Sequence, residues 1–176
     1  MTIYEVLKRD HRHVEHLFKR IEKALDKKDF SEVPELFDEL KTELTAHSKA
    51  EQEVFYQPLK ILSADPQGKD LSWEGEEEHH VIRLLLSELS RVPFHSEEWS
   101  AKMKVLSEVV DHHVEEEEEE IFVKARKVFS EEDAENIAED METLKAQYKT
   151  QIDETLDEDV QIFLRPISHS SYNLNT

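Results

Sequence analysis

Apolar residues recur every three or four positions along most of this chain, which is the spacing of one face of an α-helix. The first such stripe consists of Ile3, Leu7, Val14, Phe18, Ile21 and Leu25. Only two glycines and five prolines interrupt the 176 residues, and 36% of the residues are charged. A β-sandwich or β-barrel needs many more turn residues, so the sequence predicts an all-α protein made of long helices.

Polar or proline-containing breaks divide the pattern into five segments. We predict helices over about 2–27, 31–62, 72–91, 96–129 and 130–157, and the clearest loop over residues 63–72. Thr2, Ser31, Ser72 and Ser96 each precede an apolar stripe, where a hydroxyl group caps a helix N-terminus well. Pro58 is expected to kink or shorten the end of the second helix.

Short loops would join the first four helices into an up-down-up-down four-helix bundle. We therefore predict a bundle domain over residues 1–129 and an additional C-terminal helix over 130–158, which either packs on the bundle or extends from it. A tail would follow over residues 159–176. It has no clear period, and its apolar residues 162–164 would either dock on the bundle or stay loose.

Histidine takes the place of an apolar residue in four of the stripes. Two of these histidines are followed by glutamate at the same spacing, as His47-x-x-x-Glu51 and His113-x-x-x-Glu117. Four helical residues turn through about 400° and rise about 6 Å, so each His and Glu would share one helix face. Counting along the bundle places the four histidines within about 6 Å of one another in height. We predict that six side chains converge near the middle of the bundle: His11, His47, Glu51, His79, His113 and Glu117.

These side chains have the donor types of a metal centre. Neutral imidazole and carboxylate together suit iron, manganese or zinc, and carboxylates can bridge two metals. Unpaired glutamates would be costly in an apolar interior, whereas a two-metal centre would offset their charge. A single histidine on an apolar stripe is more often a hydrogen-bonded core residue. The metal hypothesis therefore depends on four histidines occurring at matching depth.

Residues 115–120 are six consecutive glutamates, and such a run usually forms a solvated surface. Only Glu117 continues the apolar stripe of its helix, so we expect the other five to face solvent. His112 shares a helix row with Lys102 and Glu116, which makes it a poor candidate for the interior.

The charge balance limits the partners of this chain. Its 42 acidic and 22 basic residues give a formal net charge of −20, which disfavours nucleic acid and anionic membrane surfaces. The chain has no cysteine, so disulfides, thiolate metal sites and cysteine nucleophiles are excluded. The N-terminal segment lacks the apolar core of a signal peptide, and no apolar run reaches membrane-spanning length. We therefore expect a cytoplasmic protein.

Over roughly residues 3–129, the pairs His47/Glu51 and His113/Glu117, with His11 and His79, resemble the hemerythrin-like (HHE cation-binding) domains. The resemblance implies a four-helix bundle that holds two non-haem iron ions, with the glutamates as bridging or terminal ligands and zinc or manganese as alternative metals. Family members bind dioxygen, sense oxygen or iron, or handle nitric oxide and peroxide. The resemblance thus implies a metal-binding protein whose partner is a small diatomic ligand or peroxide. It favours this role over that of an enzyme.

The sequence departs from the oxygen-carrying members, which have two histidines four residues apart on the third helix. At that spacing from His79 this chain has Gly75 and Arg83, so Glu76, His80 or water would have to replace the fifth histidine. Without cysteine, the iron–sulfur repair role of some members is not supported. Two alternatives stay open: a ferritin-like di-metal oxidase, for which Glu76-x-x-His79 is one of two required motifs, and a metal-free acidic helical interaction module.

Overall fold

The computed structural model describes the backbone of residues 1–163 and the side chains of residues 1–151. Within this range all regular structure is helical, as the sequence predicts. The α-helices are α1 (Ile3–Asp26), α2 (Val33–Glu51), α3 (Gln57–Leu62), α4 (Pro66–Leu89), α5 (Glu97–Glu116), α6 (Phe122–Ala125) and α7 (Glu131–Phe163). Two π-helical segments, π1 (Gln52–Tyr56) and π2 (Glu117–Ile121), connect α2 to α3 and α5 to α6.

Two of the four predicted N-caps are confirmed. The backbone N–H of Thr2 donates to Glu5 Oε2 at 2.8 Å, which completes a capping box at the start of α1. Ser96 Oγ accepts from the backbone N–H of Trp99 at 3.1 Å at the start of α5. These two hydrogen bonds define the N-termini of α1 and α5, the first and the fourth of the long helical segments that form the bundle.

The predictions for Ser31 and Ser72 are wrong. Ser31 Oγ donates to Asp29 at 2.7 Å instead of capping α2. Ser72 lies inside α4 and donates to the Gly68 carbonyl oxygen at 2.8 Å. The predicted loop over 63–72 is therefore mostly helix, because Asp65 accepts from the Gln67 backbone N–H at 3.1 Å and caps α4. Pro66 follows it at the first helical position, where a missing N–H costs nothing.

A π-helical segment, π1, lies directly before Pro58, where we predicted a kink or a shortening of the helix. In π1 the backbone N–H of Gln57 bonds to the carbonyl of Gln52, five residues back, and Phe122 bonds to Glu117 in the same way in π2. In this wider turn, the residues four and five positions after the glutamate lie close to the same helix face. Both residues of the apolar pair that follows each glutamate are therefore buried: Phe55, Tyr56, Ile121 and Phe122.

Two apolar clusters lie at opposite ends of the bundle. One includes Trp99, Leu40 and Leu86, and the other includes Phe55 and Phe122. The predicted histidines and glutamates belong to neither cluster, and they occupy the region between them.

Helix α7 packs against α1 and α2 and extends the second apolar cluster. Its buried residues Ala134, Ala138, Met141 and Lys145 are spaced by four, three and four, which is one helical face. The helix continues to Phe163, and the predicted docking of residues 162–164 lies outside the described side chains. No helix among the described residues combines the length and apolarity needed to cross a membrane.

Candidate metal centre

Six side chains from four rods of the bundle meet between the apolar clusters, and all are at most 6% exposed. They are His11 of α1, His47 and Glu51 of α2, His79 of α4, His113 of α5 and Glu117 of π2. The Nε2 atom of each histidine is directed at this centre. His11 Nε2 lies 3.1 Å from Glu117 Oε2, and His79 Nε2 lies 2.9 Å from His113 Nε2. All six predicted side chains are thus brought together.

The six side chains form two groups with the same composition. One group contains His11, His47 and Glu117, and the other contains Glu51, His79 and His113. Within each group the potential ligand atoms lie within 4.8 Å of one another. Two imidazoles and one carboxylate suit a first-row transition metal, so the two groups together suit a pair of neighbouring metal ions.

The unsatisfied polar atoms of the centre test whether a cation fits. Both oxygens of Glu51, Oε2 of Glu117 and Nε2 of His11 are buried and make no hydrogen bond of good geometry, although the last two atoms face each other at 3.1 Å. Buried carboxylates in this state are costly, and such groups in native proteins are normally paired or bind a metal. Cations held by the two groups would satisfy these atoms, so the residues present fit a metal pair.

The two carboxylates have opposite pKa shifts. Burial and the negative charge of Glu117 raise the pKa of Glu51 well above its usual value. Burial alone would also raise the pKa of Glu117, but its contacts with Glu51 and His11 lower it. In the metal-free centre, burial and the neighbouring carboxylate thus disfavour the charged form of Glu51, and a bound cation would oppose that effect.

Three of the four histidines have a carboxylate at the ring nitrogen that faces away from the centre. The pairs are His11 Nδ1 with Glu118 Oε1 at 2.9 Å, His47 Nδ1 with Asp10 Oδ2 at 3.3 Å, and His113 Nδ1 with Glu78 Oε2 at 2.8 Å. Such partners fix the tautomer that leaves Nε2 free to bind a metal. The sequence stripes did not indicate any of these three carboxylates.

The expectation that five glutamates of the run face solvent is wrong for two of them. The side chain of Glu118 is only 14% exposed, and Arg12 contacts both of its oxygens at 3.0 and 2.9 Å. Glu116 is half-buried, whereas Glu115, Glu119 and Glu120 are exposed as predicted. Glu118 lies in π2 and is partly buried, and its carboxylate contacts His11 of α1.

His79 is the exception among the four histidines. Its Nδ1 atom is buried without a hydrogen-bond partner, and its ring stacks on Tyr56 with centroids 5.5 Å apart and planes at 17°. Burial, followed by repulsion from His113 and His47 whenever those rings are protonated, lowers its pKa well below the usual value. His79 is therefore neutral, which is the state that binds a metal.

Tyr56 fills the space beside His79 where a side chain at position 75 would lie. A Cβ added to Gly75 would come within 2.9 Å of the Tyr56 ring. The phenol instead donates a long hydrogen bond of 3.4 Å to Glu117 Oε1. Arg83, at the other candidate position, donates to Ser48 and Gln52.

Neither side chain suggested as a replacement for the fifth histidine joins the two groups. Glu76 forms an ion pair with Lys60, and His80 is exposed. Both point away from the centre because they flank the inner stripe of α4. Within the described residues, each group therefore offers three candidate ligands.

A cavity of about 20 Å³ adjoins the four histidines and offers room for about one water-sized molecule. Its remaining lining is mostly apolar: Val14, Leu44, Ile82, Val110 and Val114, with Asp10 and Ser48. A larger cavity of about 300 Å³ lies on the outer side of His11 and Glu118. The arrangement can therefore hold cations and admit a small ligand beside them.

Comparisons with known proteins agree with this geometry. A family model described as "Hemerythrin HHE cation binding domain" matches residues 2–125, which include all six convergent side chains. A protein of Nostoc sp. strain PCC 7120 described as "DNA nickase" is 26% identical over 152 residues. That alignment covers 86% of this chain and 41% of the relative, so the chain spans about two-fifths of the relative's length. No solved structure matches the chain significantly.

Proposed function

Because this chain belongs to the hemerythrin HHE cation-binding family, we propose that it holds two non-haem iron ions and binds or senses a small ligand such as dioxygen, nitric oxide or peroxide. The observation that carries this proposal is the pair of equivalent groups with buried, unpartnered ligand atoms. Zinc and manganese suit the same donors and are the alternatives that metal analysis would identify.

His11, His47 and Glu117 would hold one ion, and Glu51, His79 and His113 would hold the other. One glutamate in each group offsets part of the ions' charge in a buried site. When bound, the metal pair would supply coordination positions that the protein leaves open to a small ligand. The chain itself contributes the tautomers set by the outer carboxylates and an environment from which bulk water is excluded.

The cavity beside the histidines supports a small, weakly polar ligand. The free space is only about 20 Å³, and five aliphatic side chains line it beside the histidines. A metabolite with several polar groups would not fit. This size limit favours diatomic molecules and peroxide over larger substrates.

Filling this cavity tests the proposal. Ile82 is 2% exposed and lines the cavity. We expect Ile82→Phe to leave the iron content unchanged and to weaken nitric oxide binding by about tenfold or more, because overpacking costs about 1–3 kcal/mol when the ligand must share the space. Titrating anaerobic ferrous protein with nitric oxide, followed by absorption spectroscopy, measures the affinity.

Leu85→Phe provides the matched control, since Leu85 lies on the same helix, is partly buried and does not line the cavity. It should bind nitric oxide like the wild type. Equal affinities in the wild type and Ile82→Phe, with both folded and iron-loaded, would contradict a ligand site in this cavity. No optical change with nitric oxide, oxygen or peroxide would contradict the ligand-binding function as a whole.

The oxidase alternative has less support. It requires Glu76 to join His79 at the centre, but Glu76 pairs with Lys60 instead. Sustained, multi-turnover oxidation of added ferrous iron would nevertheless favour an oxidase.

We propose that the chain has no DNA-cleaving activity of its own, although one relative is described as a DNA nickase. That relative is more than twice as long, and a charge of −20 would repel the phosphate backbone. We expect iron-loaded protein to leave supercoiled plasmid intact under aerobic and reducing conditions. Nicking that disappears in a variant unable to bind metal would contradict this expectation.

A further inference from the structure

Helix α7 carries a buried lysine, Lys145. It is 5% exposed, and its ammonium group contacts Asp10 Oδ2. Lysine is rarely buried to this extent unless it is paired. The residue lies outside residues 2–125, the part of the chain that the family model matches.

Asp10 links α7 to a predicted ligand. Its Oδ2 atom, which accepts from Lys145, also lies 3.3 Å from Nδ1 of His47. Its other oxygen, Oδ1, accepts from Arg9 at 2.9 Å, and Arg9 in turn pairs with Glu142 of α7. Helix α7 therefore holds this carboxylate both directly and through Arg9.

The position of Asp10 determines which nitrogen of His47 faces the metal groups. With Nδ1–H donating to Asp10, the lone pair of Nε2 is directed inward, where it lies 3.4 Å from Glu51 Oε2. Carboxylate partners of this kind orient ligating histidines and raise their basicity. Without a fixed partner, the carboxylate could rotate away, and His47 would lose its preferred tautomer and orientation.

We propose that Lys145 is a positioning residue of the metal centre, which holds Asp10 against His47 and so makes α7 part of the metal-binding unit. The proposal rests on the metal centre described above. Lys145 acts through two contacts and does not touch a metal ligand itself. The pairing could also stabilise only the packing of α7, so the test must separate metal affinity from folding.

The first comparison uses Lys145→Met and Lys149→Met. Lys149 lies one turn further along α7 and pairs with Glu43 at the surface, away from Asp10. We expect Lys145→Met to weaken ferrous iron binding on the order of tenfold, the lower end of the range for outer partners of metal ligands. Lys149→Met should bind like the wild type. Competition with a coloured chelator under argon measures both affinities, and circular dichroism checks the fold.

A double-mutant cycle with Asp10→Asn identifies the route. If Lys145 acts through Asp10, adding Lys145→Met to Asp10→Asn should weaken iron binding no further. The visible spectrum of the cobalt-loaded protein should change in both single variants, because the ligand geometry at His47 changes. A role confined to packing would lower the melting temperature of the metal-free protein and leave affinity and spectrum unchanged.

The outcomes separate this proposal from the proposed function. Wild-type protein that binds no iron overturns the metal centre itself. Wild-type protein that binds iron, with Lys145→Met binding equally well or with additive effects in the cycle, overturns only the role of Lys145. If Lys145→Met does not fold, Lys145→Gln replaces it in the same cycle, and the same two results apply.

Discussion

Replacing Glu117 by glutamine should reduce the iron retained per chain from two ions to one or none. Glu117 is fully buried, and it supplies the only carboxylate of the group that contains His11 and His47. Glutamine has nearly the same shape, but it is neutral, so that group would hold its cation with no negative charge. We expect a larger loss of affinity than the roughly 10–100-fold caused by changing an outer partner.

The run of six glutamates provides the matched control. Glu119 is two residues away and exposed, so Glu119→Gln removes the same charge without touching the centre. Iron analysis after anaerobic loading and desalting should give two ions per chain for Glu119→Gln. Equal iron contents in the two variants would mean that Glu117 is not a ligand and that the run acts as a solvated surface.

Loading the wild-type protein with metal should raise its melting temperature substantially. At free metal about 100 times the dissociation constant, each site adds about 2.7 kcal/mol to the free energy of unfolding. For a chain of this size, 1 kcal/mol shifts the melting temperature by about 2–4 °C, so one site gives about 5–10 °C. Thermal denaturation followed by circular dichroism, with and without ferrous or zinc ions, measures the shift.

This experiment also separates the metal centre from a metal-free acidic interaction module. Loose binding of cations to the acidic surface would affect Glu117→Gln and the wild type equally. We therefore expect most of the stabilisation to disappear in Glu117→Gln and to persist in Glu119→Gln. An unchanged melting temperature in the wild type would favour the interaction module.

The convergence of the six side chains could be predicted because it depends on quantities that a helix keeps constant. His47 and Glu51 share a face wherever four residues make just over one turn. The loops between the first four rods are short, so counting along each helix gives the approximate depth of His11, His79 and His113. An error in the predicted end of a helix does not change this result. Helix α4 begins six residues before the predicted cap, yet His79 still lies in the centre.

The outer partners could not be predicted because each depends on how two different helices are rotated against each other. Asp10 precedes His11 in the sequence, but it serves His47 of α2 and is held by Lys145 of α7. Glu118 likewise contacts a histidine of another helix. No periodic pattern within one segment carries that information.

The two π segments also escaped prediction, although the repeated motif contained a signal. In both rods the apolar pair occupies the fourth and fifth positions after the glutamate, and in a regular α-helix these positions diverge by about 100°. A wider turn brings the two positions closer to one face, and here both residues of each pair are buried. Such π turns are frequent at functional sites, and here each adjoins one glutamate of the centre, Glu51 or Glu117.

An anomalous-difference map at the iron edge, from crystals of the protein loaded anaerobically with ferrous iron, tests the central claim most directly. We expect two peaks in the interior of the bundle, one within bonding distance of His11, His47 and Glu117, and the other within bonding distance of Glu51, His79 and His113. No peak between the two apolar clusters, or iron bound only at the surface glutamates, would contradict a di-iron centre in this protein.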